Sequence, residues 1–293
     1  MIVIILTGAA VRLTGSGLGC PDWPTCFKHK IVSSSSIHSK IEFGNRLVTI
    51  SLVVIIGLTF LAALWREKRR RDLVILSAVL VLGVVADAVL GALVVYSKLN
   101  PYLVSLHLLL SLAMVVVGAM LYHHSKYLYG EGARSDLRDP YFRALARALW
   151  IPFIVLVVTG TATSGSGPHA GNSQGQLVAR RLPFALSSAA WVHSLAAVLF
   201  IGLVVGLLLA IWKSDAPTPL KLGVRRLVLI SLVQAAIGAT QYLTHLPAWL
   251  VELHVAGAVS LAIGLTQFNV RQVARDREPG TKRTPVAVVS SAP

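Results

Sequence analysis

Long apolar segments constrain this chain more than any other feature of its sequence. A helix needs about 20 mostly apolar residues to cross the roughly 30 Å hydrocarbon core of a bilayer. Candidate spans lie at 42–64, 73–95, 102–122, 146–165, 187–211, 226–243 and 248–268, with a shorter candidate at 1–12. Only 13% of the residues are charged, which is well below the share in soluble domains. The sequence therefore predicts an all-α polytopic membrane protein, and the segment lengths exclude a single β-barrel.

The basic residues predict how the chain crosses the membrane. The net charge is +15, but most of the 27 Lys and Arg residues lie in alternate connecting segments. These basic segments are 65–72, 126–147, 213–226 and 271–283. The positive-inside rule places them in the cytoplasm, together with both termini. Eight helices then fit, with the loops 13–41 and 164–186 outside, and nothing in this charge pattern indicates nucleic-acid binding.

The chain contains an internal repeat, which we expect to organise the fold. Residues 87–107, DAVLGALVVYSKLNPYLVSLH, align without a gap with residues 234–254, QAAIGATQYLTHLPAWLVELH, so that Gly91 matches Gly238. The segment TGAAVRLTGSG near the amino end also resembles TGTATSGSG in the fifth helix. We therefore expect two tandem, pseudo-symmetric four-helix bundles related by an axis along the membrane normal.

The repeat also predicts the domain organisation. The expected units are a first half at 1–122, a cytoplasmic linker at 123–145, a second half at 146–268 and a disordered cytoplasmic tail at 269–293. The segment at 1–12 is shorter than its counterpart in the second half. We therefore expect the first helix to be cut short at its amino end, as a misassigned start codon would produce.

Histidines within apolar helices are the leading candidates for function, because ionisable groups are costly inside a membrane. His107, His193 and His254 open the fourth, sixth and eighth predicted helices near the outer surface. The repeat pairs His107 with His254, and pairs His193 with Asn45. Two histidines facing each other across a helical bundle suit axial ligation of a heme iron. The alternative is that each histidine hydrogen-bonds to a neighbouring helix; zinc is disfavoured by the ligand spacing. His169, in GSGPHAG, could line a heme edge from the outer loop.

Other polar side chains near the predicted membrane surface have both structural and functional interpretations. Glu42, Asn45 and Arg46 share one helix face. Glu42 and Arg46 could form a simple i,i+4 ion pair; alternatively, Glu42 could face a substrate and Arg46 an anionic group such as a heme propionate. Asp87 lies inside the third helix, where the repeat has Gln234. It could relay protons or make an interhelical hydrogen bond.

Two cysteines flank a short outer loop. Cys20 and Cys26 enclose the segment PDWPT, and they are the only cysteines in the sequence. An oxidising compartment and a proline-stiffened loop favour a disulfide. This disulfide could be a structural staple or a redox-active pair that exchanges electrons or thiols.

Taken together, these motifs resemble the heme A synthases. The resemblance rests on TGAAVRLTGSGLGCPDWPTC, EFGNRL, PYLVSLH, TSGSGPHAG, WVHSL and ELHVAGA, and it extends from Thr7 to about Phe268. It implies an oxidoreductase that converts a ring methyl of heme O to a formyl group, giving heme A for heme-copper oxidase assembly, with heme b as cofactor. It also implies a multi-pass protein of a bacterial cell membrane, which could receive heme O from a heme O synthase. The electron donor and the oligomeric state are left open.

The resemblance implies roles for individual residues. His193 and His254 would ligate the iron of heme b, His107 would face the heme O substrate, and Glu42 would be a functionally important glutamate. Asn45 departs from the family pattern of four histidines. We hypothesise that the second half relays electrons, while the first half keeps a coordination position open, beside which Asn45 donates a hydrogen bond.

The sequence leaves other functions open. A non-catalytic heme carrier or membrane cytochrome b would need histidine pairs in both halves and no Glu42. A thiol oxidoreductase would normally need a second redox pair or a quinone site. A transporter is less favoured, because no pair of helices broken by Gly or Pro is present.

Overall fold

The chain folds almost entirely into helices, as a computed structural model shows. The structure describes residues 1–26, 36–67, 69–127, 140–172, 179–216 and 218–273. Its helices are α1 Ile2–Leu13, α2 Ile37–Leu64, α3 Arg71–Tyr96, α4 Pro101–Tyr127, α5 Pro140–Ala148, α6 Trp150–Ser166, α7 Leu186–Trp212, α8 Thr218–Leu243 and α9 Ala248–Val273. The middle of the predicted linker and most of the predicted tail lie outside the described residues.

The prediction of an all-α polytopic membrane protein is confirmed. Seven helices in the described part of the chain are long and apolar enough to cross a membrane. They are α2, α3, α4, the α5–α6 segment Phe142–Ser166, α7, α8 and α9. Helix α1 is apolar but has only 12 residues, which is short for a span. Side chains on the outward faces of these helices are apolar and exposed, as expected for contact with lipid.

A proline in the first turn of α6 accounts for the break between α5 and α6. Helix α5 ends at Ala148 and α6 begins at Trp150. Pro152 lacks an amide hydrogen, and a proline ring clashes with the carbonyl four residues earlier, which is that of Ala148. Leu149 nevertheless keeps helical dihedral angles, and its carbonyl accepts from the amide of Phe153 at 3.1 Å. The two helices therefore form one interrupted span, which begins earlier than the predicted residue 146.

The helices pack as two groups that share a central seam. In the first half, α1 packs on α2, α2 on α3, and α3 on α4; in the second half, α6 packs on α7, α7 on α8, and α8 on α9. The halves meet mainly along α4 and α9. In addition, α1 packs on α9 and α6 packs on α4. The first helix of each half thus contacts the last helix of the other half, which is the reciprocity that a two-fold relation would produce.

The turns before α4 and α9 have the same unusual backbone. Leu99 and Leu246 both have positive φ angles, 63° and 61°, although neither is a glycine. The amide of Leu99 donates to the carbonyl of Val94 at 2.9 Å, and the amide of Leu246 donates to the carbonyl of Gln241 at 2.7 Å. Such dihedral angles are uncommon for bulky residues. Their recurrence at matching positions means that the sequence repeat is also a repeat of local structure.

The buried core lies mainly in the second half and along the seam. Phe200, Val204 and Ile211 of α7 are completely buried in a cluster that also contains residues of α6, α8 and α9. A smaller cluster in the first half joins Ile56, Leu80, Val84 and Met114. Along the helices, both clusters lie farther from Cys20 and Cys26 than the polar residues described next. The polar residues therefore lie nearer the end of each half that carries these cysteines.

Candidate functional site: a histidine pair and its counterpart

Two histidines face each other in the second half, toward the end of the bundle that carries Cys20 and Cys26. His193 is in the second turn of α7 and His254 is in the second turn of α9. Their ring centroids lie 6.2 Å apart and their planes are nearly perpendicular, at 80°. Two imidazoles on opposite sides of one metal ion have centroids about 6 Å apart, since a metal–imidazole bond is about 2 Å and the centroid lies about 1 Å further. The separation therefore fits a single metal ion between the rings.

Neighbouring helices leave room for these rings by means of glycines. A Cβ atom at Gly160 of α6 would lie 3.0 Å from Cε1 of His193. A Cβ atom at Gly238 of α8 would also lie 3.0 Å from Cε1 of His254. Ordinary contacts are 3.4–4 Å, so any larger residue at either position would press on the ring. The two glycines thus allow close approach of helices around the histidine pair.

Hydrogen bonding determines which nitrogen of His193 is available. The Thr159 hydroxyl of α6 lies 3.1 Å from Nδ1 of His193, and it also contacts the carbonyls of Val155 and Leu156 at 2.9 and 3.0 Å. If the hydroxyl donates to either carbonyl, its oxygen accepts from the Nδ1–H group of His193. The Nε2 lone pair is then free for a metal. In His254, Nδ1 is buried and makes no hydrogen bond to a described residue.

These observations test whether the site fits a heme. Among the described residues, no group of three or more His, Cys, Asp or Glu side chains could hold a bare metal ion. A heme iron takes its equatorial ligands from the porphyrin, so that two axial side chains are enough. The spacing of the histidines, the glycines beside them and the available Nε2 atom of His193 all fit this requirement.

The first half has a similar arrangement with different side chains. Asn45 of α2 accepts a hydrogen bond from the Thr7 hydroxyl of α1 at 2.7 Å, and a Cβ atom at Gly8 would lie 3.9 Å from its Oδ1 atom. A Cβ atom at Gly91 of α3 would lie 3.5 Å from Cε1 of His107. In both halves, therefore, each of these side chains faces a glycine on the preceding helix. The four side chains are Asn45, His107, His193 and His254. The first half combines one histidine with one asparagine, where the second half has two histidines.

Asp87 and Gln234 contact the two matched histidines differently. Oδ1 of Asp87 lies 2.8 Å from Nδ1 of His107, and the Ser111 hydroxyl donates to Oδ2 of Asp87 at 2.5 Å. In the second half, the Gln234 amide instead donates to the backbone carbonyl of His254 at 2.7 Å. The alternative that Asp87 makes an interhelical contact is therefore present in the structure, and its partner is a histidine.

Glu42 and Arg46 hold the loop between the two cysteines, which we call the disulfide loop (Cys20–Cys26). The two cysteines form a disulfide bond. The carboxylate of Glu42 accepts from the backbone amide of Cys20 and from Arg46, both at 2.7 Å. Arg46 also donates to the carbonyls of Cys20 at 3.0 Å and Asp22 at 2.6 Å, and to that of Thr25. The i,i+4 pair is thus present, and the contact of Arg46 with an anionic heme group stays a prediction.

His169 lies at the junction between the halves. Its Nε2 atom is 2.8 Å from the carbonyl of Leu246, and its own carbonyl accepts from Nε of Arg12 at 2.8 Å. Arg12 also donates to the hydroxyl and the carbonyl of Ser164, at 2.5 and 2.6 Å. These bonds fix the end of α6 and the segment after it against α1. A role for His169 at a heme edge stays a prediction.

The residues around the histidines were not predicted from the sequence. No function was predicted for Thr7, Thr159 or Arg12, or for the glycines of α1 and α6. Only the glycines of α3 and α8, Gly91 and Gly238, were matched by the repeat. The sequence did contain a pattern that could have identified them, because the dipeptide Thr-Gly recurs in the aligned segments of α1 and α6. In each half, the threonine hydroxyl contacts Asn45 or His193, and the glycine lies beside the same side chain.

The fold and the histidine pair together define a polytopic helical membrane protein with a site that fits a heme. The family model of the cytochrome oxidase assembly proteins COX15-CtaA matches residues 1–40 and 34–266. The chain therefore belongs to this family, and the membership expected from the motifs is confirmed.

Individual relatives support this membership. The chain is 32% identical over 106 residues to the heme A synthase of Geobacillus kaustophilus (strain HTA426), over 36% of this chain and 33% of the relative. It is 34% identical over 109 residues to that of Geobacillus thermodenitrificans, with the same two shares. A longer match, 26% identical over 219 residues, covers 72% of this chain and 70% of the heme A synthase of Bacillus cereus (strain 03BB102). The first two matches thus span about a third of the relatives' length.

Proposed function

We propose that this protein is a heme A synthase, an enzyme that oxidises a ring methyl group of heme O to the formyl group of heme A. Its family and its relatives support the reaction. The observation that carries the proposal is the histidine pair, with ring centroids 6.2 Å apart in the outer part of the second half. A protein that only shared the family's helical fold would have no need of this spacing.

In the second half, His193 and His254 would hold the iron of heme b. When bound there, the heme would supply electron transfer. Thr159 fixes the orientation of the His193 ring, while Gly160 and Gly238 give both rings room. Conversion of a methyl to a formyl group removes four electrons, so an electron-transfer site beside the substrate serves the reaction.

In the first half, His107 would be the only histidine beside the heme O substrate. Asn45 occupies the position of the second ligand, and its Oδ1 atom is already engaged by the Thr7 hydroxyl at 2.7 Å. Its amide N–H groups remain as donors. We therefore assign Asn45 the role of donating a hydrogen bond to O2 or water beside the substrate, in a position that a second histidine would have filled.

Glu42 would act by connecting the disulfide loop to the substrate half. Its carboxylate is buried, with 7% of the side chain exposed, and it is bound to the Cys20 amide and to Arg46. It lies one turn before Asn45 on α2. Movement of the disulfide loop, for example on reduction of Cys20–Cys26, would therefore displace the helix face that carries Asn45.

The predicted location and partners belong to the same proposal. The enzyme would lie in the cell membrane of a bacterium, with both termini in the cytoplasm and the disulfide loop outside. Heme O, supplied by a heme O synthase, would enter the first half from the lipid bilayer. Both heme sites would then lie near the outer surface, at matching depth.

Expression with a source of heme O tests the reaction. Hemes extracted from the purified protein should include heme A or a hydroxylated intermediate in addition to heme b. The variants His193→Ala and His254→Ala should lose the low-spin spectrum of heme b. Intact heme b without any oxidised product of heme O would instead indicate an electron-transfer cytochrome or heme carrier. Retention of the low-spin spectrum in both variants would refute the assignment of the ligands.

Replacement of Asn45 tests the proposed asymmetry between the halves. Asn45→His should convert the first half to a histidine pair and lower the yield of oxidised product, because the open position would be filled. The low-spin spectrum should increase per molecule when heme O is bound. Unchanged activity together with unchanged spectra would refute the role given to Asn45.

A further inference from the structure

Among the described residues, Asp87 is the only carboxylate in an ion-pair contact with one of the three proposed heme ligands. It is in the interior of α3, with 17% of its side chain exposed, and Oδ1 lies 2.8 Å from Nδ1 of His107 on α4. The geometry is close but not aligned as a hydrogen bond, and among the described residues neither atom has a hydrogen-bond partner.

Ser111 holds the carboxylate in place. It follows His107 by four residues on α4, so both side chains lie on the same face of that helix. Its hydroxyl donates to Oδ2 of Asp87 at 2.5 Å. One carboxylate oxygen is thus bound by Ser111, and the other faces the imidazole. Asp87 cannot turn away from His107 without breaking the first bond.

The second half lacks this arrangement. The residue matched to Asp87 is Gln234, whose amide donates to the backbone carbonyl of His254 at 2.7 Å. Nδ1 of His254 is buried and has no described hydrogen-bond partner. The sequence repeat therefore preserves the position but not the chemistry. A carboxylate inside a membrane protein is costly, and its retention in the half that would bind the substrate needs a reason.

Carboxylates beside metal-binding histidines have a known physical effect. A carboxylate that accepts from Nδ1–H fixes the tautomer in which Nε2 carries the lone pair, and it increases electron donation by the ring. The His107 ring also lies along Gly91, one turn after Asp87 on α3, with Cε1 and Nε2 at 3.5 and 3.9 Å from a Cβ atom built there. The ring is thus held between Asp87 at one nitrogen and Gly91 near the other.

We propose that Asp87 is a positioning residue of the substrate half, which fixes the tautomer and orientation of His107 so that Nε2 faces the heme O iron. The inference rests on the proposed function for the identity of the ligand that His107 binds. It explains why the two halves differ at this position. The half that transfers electrons needs two equivalent ligands, whereas the half that binds and releases a substrate needs one ligand of fixed orientation.

The first experiment examines His107 without heme. The protein is prepared heme-free with ¹⁵N-labelled histidine, and its solid-state NMR spectrum is compared with that of His107→Ala to assign the His107 nitrogens. In the wild-type protein and in Asp87→Asn, which can still accept a hydrogen bond, the Nδ1–H tautomer should predominate. In Asp87→Leu, the signals should shift toward the Nε2–H tautomer. Identical His107 signals in the wild-type protein and Asp87→Leu would overturn the proposal, whether or not the protein oxidises heme O.

The second experiment uses the protein loaded with heme O. The resonance Raman Fe–His stretch of a ferrous heme with one histidine ligand reports the first half alone, because a heme with two histidine ligands lacks this five-coordinate mode. Its frequency should fall in Asp87→Asn, where the charge is lost, and heme O affinity should fall about tenfold or more in Asp87→Leu. Gln234→Leu is the matched control in the other half and should change neither quantity. An unshifted Fe–His stretch in both Asp87 variants, with heme b fully retained, would refute the role of Asp87.

Discussion

Replacing Gly160 by alanine is the sharpest test of the histidine pair. The new Cβ atom would lie 3.0 Å from Cε1, 3.5 Å from Nδ1 and 3.6 Å from Nε2 of His193. Since ordinary contacts begin at 3.4 Å, the ring or the α6 backbone must move by about 0.4 Å or more, close to the roughly 0.5 Å within which a functional constellation must be held. We expect the affinity for heme b to fall about tenfold, which corresponds to about 1.4 kcal/mol.

Two other glycine variants calibrate this effect. Gly202 is on the same helix as His193, and a Cβ atom there would meet nothing within 4 Å. Gly202→Ala should therefore retain heme b fully, and the better helix propensity of alanine should, if anything, stabilise α7 by up to about 1 kcal/mol. Gly91→Ala, with its nearest contact at an ordinary 3.5 Å, should have a small effect on the first half and none on heme b.

The measurement is heme b per protein molecule, taken from the reduced-minus-oxidised absorbance of the purified variants and normalised to total protein. Thermal unfolding of the same samples separates loss of heme from loss of fold. Equal heme b content and equal spectra in Gly160→Ala and Gly202→Ala would refute the close packing of α6 against a heme ligand. A general loss of stability in Gly160→Ala, without preferential loss of heme, would instead refute the role of His193 as a heme ligand.

Three further substitutions test the polar contacts. Thr159→Val removes the hydroxyl beside His193. The affinity for heme b, measured by titration with hemin, should therefore fall roughly 3- to 10-fold, in line with a net hydrogen bond of about 0.5–1.5 kcal/mol. An unchanged affinity would contradict the assigned tautomer of His193. Arg12→Ala removes three hydrogen bonds to the second half. The melting temperature measured by fluorimetry should therefore fall by about 5 °C or more. A smaller change would mean that the two halves hold together without Arg12. Arg46→Lys keeps the charge but loses the forked donors of the guanidinium group. Dithiothreitol should therefore reduce the Cys20–Cys26 bond faster, as measured by thiol labelling. A reduction rate equal to that of the wild-type protein would show that Arg46 does not restrain the disulfide loop.

Much of the architecture could be predicted because its causes are local. The length of an apolar segment decides whether it can cross a bilayer, so all seven long spans were expected from the sequence. Two starts differ most from their predicted positions: α8 begins at Thr218 rather than at 226, and α5 extends the span predicted at 146–165 toward the amino end. Pro152 interrupts the second of these spans. The repeat also pointed correctly to matched structures, since the turns at Leu99 and Leu246 share their left-handed backbone and hydrogen bonds.

The candidate histidines could be found for a similar reason. A polar side chain stands out against an apolar helix, and the repeat assigned matching positions to His107 and His254 and to Asn45 and His193. The sequence could not give the 6.2 Å separation of His193 and His254. These residues are on α7 and α9, and no pattern within either helix records how far apart the two helices stand.

Contacts between helices had to come from the tertiary structure. Glu42 and Arg46 had two interpretations on spacing alone, and only the fold shows both holding the disulfide loop. Asp87 could have been a relay or an interhelical contact, and only the fold places it against His107. The physical reason is that these helices are apolar nearly all round, because lipid faces and core faces are equally hydrophobic. Sequence thus determined which segments cross the membrane and which positions correspond, whereas rotation about each helix axis, set by packing, decided which side chains meet.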